Sequence, residues 1–363
     1  TCSGRNTTFT NPNLKNPYSM TWNLAVQYQF MHNLLIELSY DGSAAVGLIE
    51  TPNYNVLPMD YGAGNNTLLA ALVGNSQVYR PYTNFGTITD RTNVSHSTYH
   101  AGTVHAQKRL SGGLTWDSFF TYAKSLDGTG VGNTDVSSKL YKGPSSFDRK
   151  FRYVGNFSYD LPIGRGRSWM NRGGVLNAVL GGYTLVFQYD AYSGNPVTLT
   201  TTGSPYTYLP GYIGIGGRPN LLANPTLRDN WQDLGGDRFN QGNQNPAICC
   251  LQDFAYPAQY TFGNAGKNTF YTERGIGASF SARKEFVLKE RLKAQFRFDF
   301  QNPFKWYNLG NPNTTVDLKN VSPAGSTTRT NGNLFGTFSS GNEATTVADG
   351  GVPMMNATIK ILW

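Results

Sequence analysis

The sequence contains no long hydrophobic run, since no stretch of its 363 residues approaches the roughly 18 apolar residues that a transmembrane helix needs. A membrane-spanning role would therefore require a closed barrel of strands, because lipid offers no hydrogen-bond partner for the backbone N–H and C=O groups that an open sheet edge leaves unpaired. Charge is also scarce, at 14% of residues against about 25% in an average soluble domain. Glycine, tyrosine and phenylalanine are abundant, at 41, 22 and 21 residues, which is typical of strands and turns.

Other absences exclude whole function classes. The net charge is +8, but the 30 Lys and Arg residues are scattered, so we expect no nucleic-acid partner. The three cysteines, Cys2, Cys249 and Cys250, lack the spacing of a zinc site, and the sequence predicts no metal and no cofactor. No signal peptide opens the chain at Thr1, so we expect a trimmed precursor or a fragment.

The C-terminal segment carries the most informative pattern. Residues 352–363 alternate apolar and polar side chains and end on an aromatic residue, as outer-membrane barrels commonly do. Residues 291–302 alternate in the same way, with phenylalanines on one side. This pattern indicates lipid on one side of the strand and a wet interior on the other. The residues predicted to face lipid are Phe296, Phe298, Phe300, Ile359, Ile361 and Trp363.

Alternation along the whole chain predicts nine strands with unequal connections. The strands are 19–30, 34–40, 97–110, 114–124, 150–160, 183–193, 273–287, 291–302 and 352–363. Short links alternate with long ones at 41–96, 125–149, 194–272 and 303–351, and the intermediate link 161–181 holds a predicted brief helix at Val175–Leu180. Short turns on one rim and long loops on the other are typical of outer-membrane barrels. The predicted fold is therefore all-β, a transmembrane antiparallel β-barrel.

An odd number of strands has a topological consequence. The first and ninth strands would run parallel, so a simple antiparallel barrel could not close by joining them. Bacterial single-chain barrels have even strand numbers. We therefore expect residues 1–363 to be one partial barrel domain, the C-terminal segment of a larger barrel.

Six short motifs occur in a fixed order. They are NPYSMTWNL at 16–24, RPYTNFG at 80–86, GPSSFDR at 143–149, YDLPIGRG at 159–166, FGNAG at 262–266 and GNPN at 310–313. Together they resemble large TonB-dependent outer-membrane transporters, of the Oar-like subgroup with a carboxypeptidase-like regulatory domain. One departure is residues 302–307, NPFKWY, where relatives tend to have a Leu-Phe-Asn-His-like run.

The resemblance implies a 22-stranded barrel filled by an N-terminal plug, of which the nine strands would be the last. It also implies energy from the TonB complex, reached through a missing N-terminal region. Further implied partners are the barrel assembly machinery, reached through the C-terminal strand, outer-membrane lipid and a bulky nutrient of unknown identity.

Nine charged residues lie opposite the apolar stripe of their predicted strands and should face the lumen. We expect them to pair with one another and with the plug, and direct substrate contact is the alternative. They are Glu37, Asp117, Arg152, Asp160, Arg283, Glu285, Lys293, Arg297 and Asp299.

Two catalytic patterns fit the sequence poorly. Ser281 and Lys284 match a Ser-x-x-Lys motif, which requires one helical turn; on a strand the two side chains point to opposite faces. Residues 211–217 are Gly-rich but lack the helix that a phosphate-binding loop needs. We predict no enzymatic activity.

Other ligand-binding candidates have ordinary explanations. The histidines are expected to be solvated or lumenal, with His100 and His105 on opposite strand faces; the four are His32, His96, His100 and His105. Loop aspartates could bind calcium, although their spacing is not that of an EF-hand; they are Asp229, Asp233 and Asp237. Loop aromatics could form a ligand platform or pack the loops; they are Tyr206, Tyr208, Tyr212, Trp231, Phe254 and Tyr256.

The adjacent Cys249 and Cys250 are disulfide candidates in an extracellular loop, since an oxidising compartment favours pairing. A bond between them is preferred here, and a bond from Cys2 to one of them is the alternative. Peptide mapping under non-reducing conditions distinguishes the two.

The sequence favours a non-enzymatic transport protein in the bacterial outer membrane, taking up a bulky nutrient through a plugged barrel. The alternative from another class is an outer-membrane adhesion or surface-structural barrel that binds partners through its long loops. A soluble all-β carbohydrate-binding module is a third reading, and it predicts solubility without detergent.

Overall fold

A computed structural model describes residues 4–57, 65, 68, 76–130, 141–171, 174–201, 218–222, 254–255, 263–272, 274–287, 292–306, 308, 314–316 and 353–362. Nine long strands form its main sheet. In chain order they are β1 (Tyr18–Met31), β2 (Leu34–Glu50), β3 (Phe85–Ser111), β4 (Leu114–Asp127), β5 (Phe151–Asp160), β6 (Tyr183–Tyr192), β7 (Gly275–Val287), β8 (Lys293–Gln301) and β9 (Met354–Leu362).

Each long strand pairs antiparallel with the next one along the chain, from β1 to β9. The predicted all-β fold with an antiparallel sheet is confirmed. Among the described residues no helix is long and apolar enough to cross a bilayer. The sheet is open in this structure, with β1 at one edge and β9 at the other.

Three strands are longer than predicted, so two predicted loops were too long. β2 continues to Glu50, β3 begins at Phe85 and β4 continues to Asp127, which converts parts of the predicted loops 41–96 and 125–149 into strand. Residues 43–45 in this extension are Ser-Ala-Ala. Small residues carry no apolar stripe, so the period-2 signal fades while the backbone pairing continues.

The two faces of the sheet differ in chemistry. Residues directly opposite each other on paired strands share a face, and one such row runs through Val26, Leu38, Val104, Phe120 and Tyr153. Val26 is 61% exposed and Leu38 55% exposed, so this apolar face is bare. A contiguous exposed apolar surface of this size fits contact with lipid rather than water.

Tight turns join the strands along one rim. Two residues connect β1 to β2, and Gly112 and Gly113 connect β3 to β4 with φ of 60° and 82°. Positive φ at both central positions is the type I′ geometry that matches strand twist, and glycine adopts it freely. In outer-membrane barrels the short turns lie on the periplasmic side, so we define this rim as the periplasmic rim.

The link from β5 to β6 lies on the same rim and contains a short α-helix. This helix, α1 (Val175–Leu180), confirms the predicted brief helix. Asn177 stabilises the link, since its side-chain oxygen accepts from the Arg165 backbone N–H at 2.7 Å and its carbonyl accepts from Gly181 N–H at 3.0 Å.

Short elements lie beyond the opposite, extracellular rim. Arg5–Thr10 pairs in parallel with the start of β3, and Gly143–Pro144 pairs with the end of β4. The other short elements are strand pairs and a 3₁₀ turn: Pro196–Val197 with Phe270–Tyr271, Thr200–Thr201 with Thr315–Val316, Asn220–Leu221 with Phe254–Ala255, and the 3₁₀ turn Ser76–Tyr79.

Buried side chains concentrate in these extracellular segments, because a one-layer wall has no second layer to pack against. Leu57 and Leu199 are 2% and 0% exposed. Asn55 is fully buried, and its amide donates to the carbonyls of Tyr82, Phe85 and Gly86 at 2.8–3.0 Å. The 80–86 motif is therefore held by a buried asparagine.

Residues 302–306, the described part of the 302–307 departure, form a turn on the apolar face. Asn302 and Trp306 exchange two hydrogen bonds of 2.8 and 2.9 Å, and Asn302 adopts φ of 48°. The turn stacks Phe304 on Trp306 and places Trp306 against Tyr189. These aromatics lie at the extracellular end of β8, where barrels carry an aromatic girdle.

Candidate functional site

The sheet pairing places the nine predicted charged residues on one face, defined here as the polar face. Glu37 lies opposite His105, Arg283 opposite Arg297, and Glu285 opposite Gln295. The five described residues predicted to face lipid lie on the other face; they are Phe296, Phe298, Phe300, Ile359 and Ile361. Trp363 is outside the described residues. That the polar face lines a lumen stays a prediction.

Two arginines on this face are neutralised by neighbouring carboxylates. Arg152 donates to both carboxylate oxygens of Asp190, from Nε at 3.1 Å and Nη2 at 2.9 Å. Arg297 Nε donates to Asp299 at 2.7 Å. The two-point contact of Arg152 holds its guanidinium in a set orientation, so part of the charge on this face stabilises the wall itself.

The acidic residues also have partners within the sheet. Asp117 lies 2.6 Å from Nε2 of His105, whose ring stacks on Phe119 at 4.0 Å. Asp160 accepts from the Thr184 hydroxyl at 2.7 Å. Amide side chains contact the glutamates in two further pairs, Gln27 with Glu37 and Gln295 with Glu285.

A concave patch on the polar face across β6 to β9 is the best candidate for binding. Its cavity has a volume of about 530 Å³. We call it the basic groove, because its charged lining residues are three cations and one anion: Arg283, Arg297, Lys360 and Asp299. The neutral polar lining residues are Gln188, Ser279, Ser281, Gln295, Gln301 and Asn356.

Arg283 gives the basic groove its unbalanced charge. It lies directly opposite Arg297, and like charges at opposed positions repel. Asp299 contacts Arg297, whereas no ion pair to Arg283 occurs among the described residues. An anionic group placed between the two guanidinium groups would relieve this repulsion.

Beyond the extracellular ends of β3 and β4, a buried polar network joins two of the sequence motifs. We call it the cap cluster, made of Asp127, Asp148, Lys267 and Tyr271. Lys267 Nζ lies 2.5 Å from Asp127, and their side chains are 15% and 8% exposed. Asp148 accepts from Ser125 N–H at 2.6 Å and from the Tyr271 hydroxyl at 2.7 Å.

The cap cluster raises the pKa of Tyr271 and accounts for two of the sequence motifs. Burial, followed by the hydrogen bond to the Asp148 carboxylate, raises the pKa of the Tyr271 phenol. The 143–149 motif supplies Asp148, and the segment after the 262–266 motif supplies Lys267 and Tyr271. Both segments therefore fold against the polar side of the wall, over the end of the sheet.

Sequence reasoning missed several residues of these sites. Asp190 and Gln188 alternate with the aromatic stripe of β6, so the same period-2 rule applied to residues 183–193 would have found them. Lys360 has the same signal in β9. Lys267 had none, because it lies 140 residues from Asp127 in sequence in a segment without periodicity.

The pairing separates the catalytic candidates, as predicted. Ser281 lies opposite Asp299 on the polar face, and Lys284 lies opposite Phe296 on the apolar face. His100 lies on the apolar face, where Nδ1 is 2.8 Å from the Tyr40 hydroxyl, so it is separated from His105.

In the part of the chain that the structure describes, no three His, Cys, Asp or Glu residues group as metal ligands do. Phe254, one of the loop aromatics, is 4% exposed in a short strand. The remaining loop candidates lie outside the described residues: Cys2, Cys249, Cys250, Asp229, Asp233, Asp237, residues 211–217, Tyr206, Tyr208, Tyr212, Trp231 and Tyr256.

An antiparallel meander with a bare apolar face, a charged opposite face and a periplasmic rim of tight turns defines an outer-membrane β-barrel protein. Residues 1–346 match the family described as Outer membrane beta barrel domain. The chain belongs to this family, and its location is the bacterial outer membrane. No curated protein matches the sequence.

Solved structures with similar architecture are outer-membrane proteins. The outer membrane transporter YddB from Escherichia coli aligns at 12% identity and a TM-score of 0.43, covering 88% of this chain and 32% of that one. The ferripyoverdine receptor of Pseudomonas aeruginosa, bound to ferripyoverdine, aligns at 9% identity and a TM-score of 0.39, covering 86% and 26%. FpvA of P. aeruginosa, bound to heterologous pyoverdines, aligns at 9% identity and a TM-score of 0.41, covering 96% and 28%. The chain spans about a third or less of the length of these proteins.

Proposed function

We propose that the chain forms part of the barrel wall of an Oar-like, TonB-dependent outer-membrane transporter that takes up a bulky nutrient without chemical catalysis. The observation that carries this proposal is the basic groove on the polar face. A structural wall needs no uncompensated cation, whereas a wall that seats an acidic plug segment or an anionic nutrient does. The ordered motifs at 16–24 and 143–149 support the same subgroup.

The charge pattern distinguishes two tasks on the polar face. Arg152 and Asp190 neutralise each other within the wall, and Asp117 contacts His105. Arg283 and Lys360 remain for an anionic occupant of the basic groove. The aqueous face keeps these charges solvated until the occupant arrives, so the energetic cost of holding them is small.

Energy-dependent accumulation tests this function. Cells that lack the gene receive either the wild-type protein or the Arg283→Gln, Lys360→Gln double variant. Labelled oligopeptides, glycans and iron chelates are then offered with and without an uncoupler of the proton-motive force. We expect one class to accumulate in wild-type cells, to be lost with the uncoupler or without TonB, and to fall severalfold in the double variant.

A double variant Arg152→Gln, Asp190→Asn is the matched control, since it removes an ion pair outside the basic groove and should transport normally. Surface binding that survives both the uncoupler and loss of TonB, with no accumulation of any class, would refute the transport proposal. That result would favour an adhesion or surface-structural role.

A further inference from the structure

Lys284 is a cation on the apolar face of the sheet. The pairing places it beside Tyr183 of β6 and Phe296 of β8, near the periplasmic ends of these strands. An uncovered lysine toward lipid is unfavourable, yet this residue is only 5% exposed. Something must therefore cover it on the lipid side of the wall.

The cover is α1 together with two aromatic rings. Lys284 Nζ donates to the carbonyl of Val179 at 3.1 Å and lies 4.6 Å from the ring centre of Tyr183 and 4.8 Å from that of Phe286. A carbonyl in the last turn of a helix and the faces of aromatic rings both stabilise a cation. This contact fixes α1 against the apolar face, outside the lumen.

The link that contains α1, residues 161–182, exposes large apolar side chains despite being held by its own hydrogen bonds. Gly164 N–H donates to the Trp169 carbonyl at 2.9 Å, and Gly166 N–H donates to the Asn171 side chain at 2.8 Å. The exposed fractions of its apolar residues are 66% for Trp169, 43% for Met170, 81% for Val175, 57% for Val179 and 48% for Leu180.

The charge of this link is entirely positive. Its sequence contains Arg165, Arg167 and Arg172 and no Asp or Glu. Arg165 and Arg167 are exposed, and Arg167 Nη2 lies 3.6 Å from the Asp160 carboxylate, so Arg165 is the arginine placed for a lipid phosphate. A cationic segment with exposed tryptophan and aliphatic residues is the pattern of a segment that lies in a membrane interface.

We propose that residues 161–182 bind the periplasmic leaflet of the outer membrane. Trp169, Val175, Val179 and Leu180 enter the acyl boundary, Arg165 contacts phospholipid phosphates, and Lys284 locks α1 in place. The apolar surface of the link continues that of the wall through Tyr183 and Phe286, which is why lipid rather than a protein is its occupant. The inference requires the membrane location of the barrel, not its transport activity.

Spin labelling of the complete protein tests the placement. In a background whose cysteines are replaced by serine, single variants Val179→Cys and Ser111→Cys are labelled and reconstituted in vesicles of phosphatidylcholine and phosphatidylglycerol. Ser111 is the matched control, since it is exposed on the same rim at a polar turn. We expect the ratio of oxygen to nickel-chelate accessibility to be severalfold higher at position 179. Equal ratios would overturn the proposal and would leave this surface for a periplasmic protein.

Two further variants test the assigned roles. Arg165→Gln should lower the accessibility ratio at position 179, and vesicles of phosphatidylcholine alone should lower it for the wild-type Arg165. An unchanged ratio in both would refute phosphate binding. Lys284→Met should increase the mobility of the label at position 179, while heat-modifiable migration shows that the barrel has folded. Unchanged mobility in that folded variant would refute the locking role.

Discussion

Gln295 and Phe296 are neighbours in β8, but they lie on opposite faces of the sheet. Gln295 lies on the polar face, where it contacts Glu285 at 2.9 Å, and Phe296 lies on the apolar face against Phe286. The cost of a charge at either position therefore depends on which face meets lipid. The folding free energies of single Arg variants at these positions measure this difference directly.

We predict that Arg at Phe296 or Phe298 costs about 2 to 4 kcal/mol of folding free energy near the bilayer midplane, whereas Arg at Gln295 costs far less. The reason is that a guanidinium on the apolar face loses its hydration. Refolding titrations of the complete barrel in lipid measure both. Equal penalties at the two faces would contradict the face assignment.

The cap cluster offers a second prediction at single residues. Lys267→Met leaves the Asp127 carboxylate buried without its cation, so the local free energy of opening should fall by about 3 kcal/mol. Hydrogen exchange of the 263–272 amides measures this fall. Arg297→Gln is the control, because Arg297 is 49% exposed beside Asp299 and the loss of such a pair should cost less than about 1 kcal/mol. Similar losses in both variants would show that burial of the Lys267 pair has no energetic effect.

Tyr271 makes the cap cluster sensitive to alkali. Its pKa is raised above the ordinary 10.0 by burial and by Asp148, so the neutral phenol is the form that the fold favours. Its stabilising contribution is fully present below pH 10.0 and is lost as pH rises through the folded-state value. We expect proteolytic cleavage at 143–149 to increase in the wild-type protein as the pH rises above 10.0.

Tyr271→Phe is the matched variant. It should weaken the cap at neutral pH by about 1 to 3 kcal/mol, because the buried Asp148 loses a donor, and it should lose the additional alkaline step. An alkaline step of equal size in the variant would assign the effect to another group.

At the scale of whole strands, the terminal strand β9 is the most informative element. β9 pairs with β8 over its full length, from Met354 opposite Gln301 to Leu362 opposite Lys293. Its apolar side, with Ile359 and Ile361, continues the apolar face of β8. In sequence the alternation continues to Trp363, an aromatic residue of the kind that barrels place at membrane interfaces.

Deletion of Trp363 should reduce barrel insertion while leaving synthesis intact, because the deletion removes both the interfacial anchor and the aromatic end signal. Outer-membrane levels and heat-modifiable migration of the complete protein are the measurements. Trp363→Phe keeps an aromatic terminus and should assemble normally. Normal levels of the deletion variant would argue against a role for the terminal residue in assembly.

At the scale of the molecule, nine strands form a curved, open wall. Because neighbours are antiparallel, β1 and β9 run parallel, and each leaves one edge of backbone donors and acceptors. Unpaired edges are costly in lipid and promote association in water. We propose that further strands between β1 and β9 close the barrel.

We predict that the 363 residues refolded alone in detergent will form oligomers or aggregates through these edges, whereas the complete protein will form a monomeric, heat-modifiable barrel. Size-exclusion chromatography with light scattering distinguishes the two states. A stable monomeric barrel from the 363 residues would contradict the predicted need for additional strands.

The strand order, the two faces of the sheet and the difference in loop length between the two rims could be predicted from the sequence. Period-2 alternation is a local property, so residues such as Phe296 and Arg297 reveal their faces without any knowledge of their neighbours. The same property assigned all nine charged residues to one face. It underestimated the lengths of β2 to β4, since small residues such as those at 43–45 carry no such alternation.

Only the tertiary structure decided which residues meet. The pairing of Lys267 with Asp127, the opposition of Arg283 and Arg297, and the contact of Lys284 with α1 join segments that are distant in sequence. Local pattern shows that Lys284 interrupts an apolar stripe, but its compensation comes from a carbonyl 105 residues away. Side-chain environment depends on strand register and on how links fold back over the sheet, and neither is encoded in the period of a single strand.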